Sequence, residues 1–250
     1  MIQYGLIGKK LGHSKSPELF RTIFQENNVQ NAAYSLFELN SIEETEHLIQ
    51  QHKNLKGFNV TTPFKHEILS KLSSIDAEAE KIGAVNTVKI QRNSDSYSLH
   101  GYNTDAPAFE QSLKLFCNNL KLKALVLGSG GAAKAVTYVL KKNDIQFIQV
   151  SREQKQGFIT YHEITAEMMN DSLLIVNCTP SGMWPDTSQL PAIPYFHLTS
   201  KHYLYDLIYN PAETLFLQKG KEIGCRLKNG YEMLKLQALK SFEIWQSDES

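Results

Sequence analysis

Ala124-Leu125-Val126-Leu127-Gly128-Ser129-Gly130-Gly131-Ala132-Ala133-Lys134 is the stretch on which the fold turns. Four apolar residues sized for a buried strand run into a glycine turn. Residues 132–142 then keep helical spacing and residues 147–150 read as a second strand, which makes a βαβ unit. The glycines fit G-x-G-x-x-G/A in the strand-to-helix context that a dinucleotide fingerprint requires. Gly128 permits the tight turn, Gly130 lets backbone approach a pyrophosphate, and Ala133 keeps helix close to strand. Free N–H groups at the helix start face the phosphates, so Gly128, Ser129, Gly130, Gly131 and Ala132 form the candidate cradle. The plainer alternative is a glycine-rich turn that holds nothing.

Cofactor choice is read at the tip of the second strand, about 20 residues after the glycines, where an acidic residue would hold a ribose 2′-OH. Here the tip is Ser151-Arg152. Arg152 suits a 2′-phosphate, which favours NADP over NAD, while Glu153 beside it would repel that phosphate if it turned inward. A solvated surface role for Arg152 is the competing reading.

Working outward, short β-rich runs alternate with helix-period segments, the pattern of an α/β protein with helices on a largely parallel sheet. Residues 2–7, 34–39, 57–61 and 87–91 read as strands. Residues 17–26 read as a helix with Leu19, Phe20, Ile23 and Phe24 on one face, Ser16 as N-cap and Pro17 at the first helical position. Residues 42–51 and 64–72 look similarly amphipathic. A polar stretch at 93–98 suggests a hairpin, and Asn103-Thr104-Asp105 opens a helix reaching about Cys117. Residues 173–177 and 203–207 continue the second sheet, and 231–245 form a C-terminal helix.

The chain's 250 residues carry 26 Lys+Arg against 26 Asp+Glu. This balance offers no basic surface for nucleic acid or anionic membrane. The longest apolar runs are strand-sized, short of the roughly 20 residues of a bilayer span. The opening MIQYGLIGKK turns polar after seven residues, too soon for a signal peptide, so the expected location is the cytoplasm. Cys117, Cys178 and Cys225 lie far apart with no C-x-x-C pair, which argues against a disulfide framework or structural zinc.

The first hundred residues hold a polar constellation. His13-Ser14-Lys15-Ser16 ends a glycine-bearing loop at a helix start, where two hydroxyls and backbone N–H groups suit a carboxylate. Equally, Ser16 would cap its helix and Ser14 support the turn. Asn59-Val60-Thr61-Thr62-Pro63-Phe64-Lys65 sets polar residues beyond a strand's carboxyl end and a lysine one residue into the next helix. Lys65 there is placed for proton transfer, although a lysine on the surface is the ordinary case. Asn86 and Asp105 sit at further turns. Asp105 would orient the Lys65 ammonium and share proton transfer, or serve only as a helix N-cap.

Taken together, these strings resemble the shikimate dehydrogenase family, in order and over almost the whole chain. The further segments that carry the likeness are Gly83-Ala84-Val85-Asn86-Thr87, Asn177-Cys178-Thr179-Pro180-Ser181-Gly182-Met183, residues 206–211 and residues 230–238. The resemblance implies a two-lobe α/β protein. An N-terminal α/β substrate-binding and catalytic domain, discontinuous over residues 1–103 and 231–250, joins a Rossmann-type NADP-binding domain at 104–230, with the cleft between the lobes. It implies that Ser14 and Ser16 bind the shikimate carboxylate, that Thr61, Asn86, Asp105 and Gln237 hold ring hydroxyls, and that Lys65 and Asp105 are the catalytic pair. By the same likeness Asn177, Thr179 and Met183 lie along the cofactor, Tyr209 closes over substrate, and Gly230 and Met233 border the nicotinamide. The implied reaction is reversible NADPH-dependent reduction of 3-dehydroshikimate to shikimate, by a monomer or homodimer.

The chain departs from the family's pattern in three places. Ser151-Arg152-Glu153-Gln154-Lys155 stands where Asn-Arg-Thr and a further basic residue are usual, Lys9-Lys10 where a Pro-containing turn is common, and Phe20-Arg21 where His-Asn often follows the serines. The first change keeps open an NAD-using quinate/shikimate dehydrogenase. A non-catalytic dinucleotide-binding regulator and a folate-linked dehydrogenase are the remaining rivals. Lys65 with Asp105 speaks against the regulator, and the paired serines speak against the folate enzyme.

Overall fold

The computed structural model describes residues 1–12, 14–94, 96–117 and 122–247. They divide into two units, one of Met1–Asp105 with Lys235–Ser250 and the other of Ala106–Leu234. Each unit is built on its own six-stranded sheet.

In the first unit the chain runs β1 (Ile2–Gly8), α1 (Ser16–Glu26), β2 (Ala32–Glu38), α2 (Glu44–Gln51) and β3 (Leu55–Val60). A short 3₁₀ helix (Glu67–Lys71), β4 (Ser74–Ile75), α3 (Ala77–Ile82), β5 (Thr87–Arg92) and β6 (Tyr97–Tyr102) follow. The strand order is β2-β1-β3-β5-β6-β4. β1 lies parallel to β2 and β3, whereas β5 is antiparallel to both β3 and β6. This sheet is therefore mixed rather than largely parallel. The tight β5–β6 connection, closed by Asn93 N–H on Ser96 O at 2.9 Å, can only join antiparallel strands. Asp95 in that turn lies outside the described residues.

Alternation along β1 feeds two cores. Ile7 joins Phe58, Val60, Phe64, Ile68 and Val88 on one face, and Tyr4 joins Phe20, Ile23, Phe24, Phe242 and Trp245 on the other. The second face is covered by α1 and by the C-terminal part of α8 (Tyr231–Gln246). Two local expectations are corrected. Residues 64–72 are a turn followed by five 3₁₀ residues, so Lys65 sits in the turn and not in a helix. Ser16 is the first residue of α1 rather than its cap, and the helix has no side-chain cap. The unpredicted α3 carries clear punctuation. Asp76 accepts from the Glu78 and Ala79 N–H groups, and Gly83 ends the helix with a left-handed φ of 68°.

The second unit runs from α4 (Asp105–Phe116, its first residue in the first unit) through β7 (Ala124–Leu127), α5 (Gly131–Lys142) and β8 (Phe147–Ser151). It continues with β9 (Ile159–Thr160), α6 (Ala166–Asp171), β10 (Leu174–Asn177), β11 (Tyr203–Asp206), α7 (Leu215–Ile223) and β12 (Arg226–Lys228). All five ladders are parallel, in the order β12-β11-β10-β7-β8-β9. The chain leaves β7 toward β8 and returns on its other side at β10. That reversal is a topological switch point, and it brings the loops after β7 and β10 side by side at the strands' carboxyl ends. Among the described residues no helix is long and apolar enough to cross a membrane.

Glu110 fastens α4 to α5. It accepts from Lys114 at 2.7 Å, Lys142 at 3.0 Å and Asn143 Nδ2 at 3.3 Å. Burial by itself would raise this carboxyl, but the three donors outweigh it and hold the group down at about 2. A carboxyl depressed in the native state contributes stability that is complete above its ordinary value and is lost as pH falls through the native one. With both lysines half in water, Glu110→Gln is expected to cost about 1–2 kcal/mol at neutral pH. Urea midpoints measured down to acid pH should show that difference shrinking as pH falls through about 2.

Candidate active site

In the first unit, Phe64 is buried and its N–H donates to Thr61 O at 2.9 Å, which sets the turn that presents Lys65. Lys65 O accepts from Val85 N–H at 2.8 Å and ties the turn to the strand leading to Asn86. Lys65 Nζ lies 2.6 Å from Asp105 Oδ2, with side-chain exposures of 16% and 8%. Such a pair is shielded enough for its charges to matter, yet its lysine reaches solvent or a ligand. Asp105 opens α4, where the helix's positive end favours a carboxylate. Its other oxygen accepts from Asn86 Nδ2 at 3.0 Å.

Asn86 is the junction. Its Nδ2 also approaches Thr104 Oγ1 at 2.9 Å and Gln237 Oε1 at 3.5 Å, and its Oδ1 accepts from Thr104 N–H at 2.7 Å. Lys65, Asp105, Asn86 and Gln237 are thus drawn into one cluster from four separate stretches of chain. Ser14 and Ser16 form a second small group. Ser14 Oγ accepts from Ser16 N–H at 3.2 Å and donates to Ser16 Oγ at 3.1 Å. His13, quoted with that motif, lies outside the described residues. Thr61 is held through its N–H on Ile7 O at 3.0 Å.

Beneath the cluster lies a buried polar layer that sequence reading did not single out. Asn59 Nδ2 reaches Ser241 Oγ at 2.8 Å and Thr87 Oγ1 at 3.0 Å, and Asn59 Oδ1 accepts from Tyr34 OH at 2.8 Å. Thr104 Oγ1 and Ser241 Oγ are 3.2 Å apart, and Ser241 Oγ is 2.8 Å from Gln237 O, one helical turn earlier. Asn59 and Thr104 stand inside the quoted motifs and so were findable. Ser241 carries no local signal, because its partners come from β3, β5 and the turn before α4.

In the second unit, Gly128 has φ of +113°, a conformation that favours glycine, and the place of a Cβ at Gly130 is open space. No side chain caps α5. An uncapped helix start beside a bare backbone fits a pyrophosphate, so this turn suits a dinucleotide. Ser129 Oγ accepts from Lys155 Nζ at 3.1 Å. The basic side chain that reaches the glycine turn is thus Lys155, while Arg152 and Glu153 are exposed beyond β8. Ser151 Oγ bonds the Glu153 carbonyl. Thr179 N–H and Oγ1 both donate to Asn177 Oδ1, at 3.0 and 2.7 Å, and Met183 is 46% exposed in the same loop. Gly230 N–H donates to Ile208 O at 3.0 Å, Met233 is buried, and Tyr209 follows β11.

Among the described residues no group of three or more His, Cys, Asp or Glu is arranged to hold a metal. Burial pushes the Cys117 thiol up to about 11 and the Cys178 thiol up further. Neither is poised as a thiolate.

Residues 6–88 match the family model described as the shikimate dehydrogenase substrate binding domain. A relative from Clostridium beijerinckii, named shikimate dehydrogenase (NADP(+)), is 41% identical over 97% of this chain and 91% of its own length. Shikimate 5-dehydrogenase from Thermus thermophilus, solved with NADP(H) and shikimate, superposes with a TM-score of 0.86 at 29% identity over 98% of this chain and 94% of that one. The enzyme from Listeria monocytogenes, solved with shikimate and NAD, gives a TM-score of 0.81 at 27% identity over 100% and 93%. Identity of 41% over nearly the whole of both chains means that the chain belongs to the shikimate dehydrogenase family.

Proposed function

We propose that this chain is an NADP-dependent shikimate dehydrogenase, an oxidoreductase that reversibly reduces 3-dehydroshikimate to shikimate on the route to aromatic amino acids. The observation that carries the reading is the shielded Lys65–Asp105 pair, 2.6 Å apart and flanked by two amide side chains. A ring ketone that gains hydride becomes an alkoxide and needs one proton at its oxygen. Lys65 Nζ donates that proton, and in the reverse direction neutral Lys65 accepts it from the ring hydroxyl. Asp105 holds the ammonium in line and offsets its charge, and Asn86, Gln237 and Thr61 bond ring hydroxyls. Ser14 and Ser16 anchor the carboxylate remote from the reacting carbon, and Tyr209 contributes a further contact to substrate. Residues 128–132, Asn177, Thr179, Met183, Gly230 and Met233 hold the dinucleotide, which supplies the hydride when bound.

Zero formal net charge supports small-molecule partners without nucleic acid. The reading locates the enzyme in the cytoplasm as a monomer or homodimer. Reduction of NADP by shikimate, followed through the absorbance of the reduced nicotinamide, tests it, with quinate and NAD as separate arms. Turnover of quinate with NAD in preference would favour the broader enzyme, and no turnover with any cyclohexene acid would favour the regulator. Arg152→Ala is expected to raise the KM for NADP about tenfold and leave that for NAD unchanged. An unchanged KM for NADP would remove Arg152 from phosphate recognition.

A further inference from the structure

We propose that Asp206 is a positioning residue for dinucleotide binding, its carboxylate aligning three backbone segments, one of which lies against the glycine turn. The inference rests on the oxidoreductase reading but concerns a side chain to which that reading gives no task. Asp206 ends β11 and is fully buried, as is Asn177 at the end of neighbouring β10. Asp206 Oδ1 accepts from Asn177 Nδ2 at 3.0 Å and from Ile208 N–H at 3.1 Å, and Oδ2 accepts from Thr214 Oγ1 at 2.5 Å.

Each bond has a consequence farther along. With Asn177 Nδ2 committed to Asp206, Asn177 Oδ1 must face the other way, toward Thr179 N–H and Oγ1. Thr179 Oγ1 in turn accepts from Ser181 N–H at 3.2 Å. The loop so fixed lies against the glycine turn, for a Cβ built on Gly128 would be 3.2 Å from Thr179 Cγ2 and 3.3 Å from the Cys178 carbonyl carbon. The Ile208 bond holds the segment whose carbonyl receives Gly230 N–H. The Thr214 bond seats the N-cap of α7, since Thr214 Oγ1 also accepts from Leu217 N–H at 3.4 Å.

Burial pushes the Asp206 carboxyl up to about 6 against the pull of the Thr214, Ile208 and Asn177 donors. A charge kept in such a place costs stability that an apolar side chain would not. What the apolar side chain lacks is acceptor capacity on two sides. Asparagine would fill the same space but offers one acceptor oxygen and two N–H donors, so the donors converging from three segments cannot all be answered.

The test compares wild type, Asp206→Asn, Thr214→Val and the conservative Thr214→Ser. The readouts are NADPH dissociation constants from nucleotide fluorescence, the KM for NADP and for shikimate separately, and thermal midpoints. Asp206→Asn is expected to weaken NADPH binding about tenfold or more with the shikimate KM within about twofold of wild type. Thr214→Val should shift NADPH affinity the same way by a smaller factor, and Thr214→Ser should restore it. Wild-type NADPH affinity in folded Asp206→Asn overturns the proposal, and so does an equal rise in both KM values, the mark of a general packing role. Should Asp206→Asn not fold, wild-type NADPH affinity in Thr214→Val overturns it. Failure of the wild type itself to bind NADPH would instead remove the oxidoreductase reading.

Discussion

Lys65→Ala is expected to lower kcat by about 10²–10⁴ while the KM for shikimate moves by no more than about threefold. On the proposed mechanism this removes the proton donor, whereas the substrate contacts proposed for Asn86, Gln237, Ser14 and Ser16 do not run through the ammonium. The substitution also strips Asp105 of its ion pair, leaving a carboxylate 8% exposed that still accepts from Asn86 Nδ2 at 3.0 Å. Some stability will therefore be lost along with activity. Thermal midpoints measured beside the kinetics separate the two effects. Equal kcat in a folded mutant would exclude Lys65 from proton transfer. A large rise in shikimate KM with little change in kcat would assign it to binding instead.

Trp245→Ala should be among the most destabilising single changes in the first unit, at about 3–5 kcal/mol. The indole is 6% exposed, stacks on Tyr4 with ring centroids 4.7 Å apart, and approaches Phe20 at 5.4 Å. Its Nε1 donates to Val88 O at 3.0 Å, so alanine leaves both a cavity and a buried carbonyl without its donor. The loss propagates along α8, which carries Gln237 and Ser241 into the polar cluster. Urea unfolding is the measurement, with Trp245→Phe as a milder companion that keeps the ring but not the N–H. A cost under about 1 kcal/mol for the alanine variant would mean that α8 is held elsewhere.

How much of this was legible in the sequence depended on whether the cause was local. The strand over residues 124–127 and its glycine turn declare themselves because a fully buried parallel strand is continuously apolar and the turn demands glycine. The polar strings around Lys65, Asn86 and Asp105 were visible for a similar reason, since strand ends are where an α/β sheet presents ligands. The short elements β4, β9 and β12 escaped notice because two or three residues have no periodicity of their own. Residues 64–72 misled because an amphipathic spacing was satisfied by a turn and five 3₁₀ residues that bury Phe64 and Ile68. Ser241 was silent for a different reason, and Asp206 stood out only as the head of the quoted segment 206–211, with no task of its own. Their partners Asn59 and Asn177 are brought to them by the sheet and not by nearness in sequence.

The discontinuity of the first unit also sets an order of assembly. A nascent chain that has emerged as far as Leu234 possesses every strand of both sheets, and its second unit is complete. The sheet face that carries Tyr4 has α1 with Phe20 but still lacks Phe242 and Trp245, and Asn59 still lacks Ser241. Part of that apolar face stays open until α8 follows, so the half that is synthesised first is completed only after the second unit.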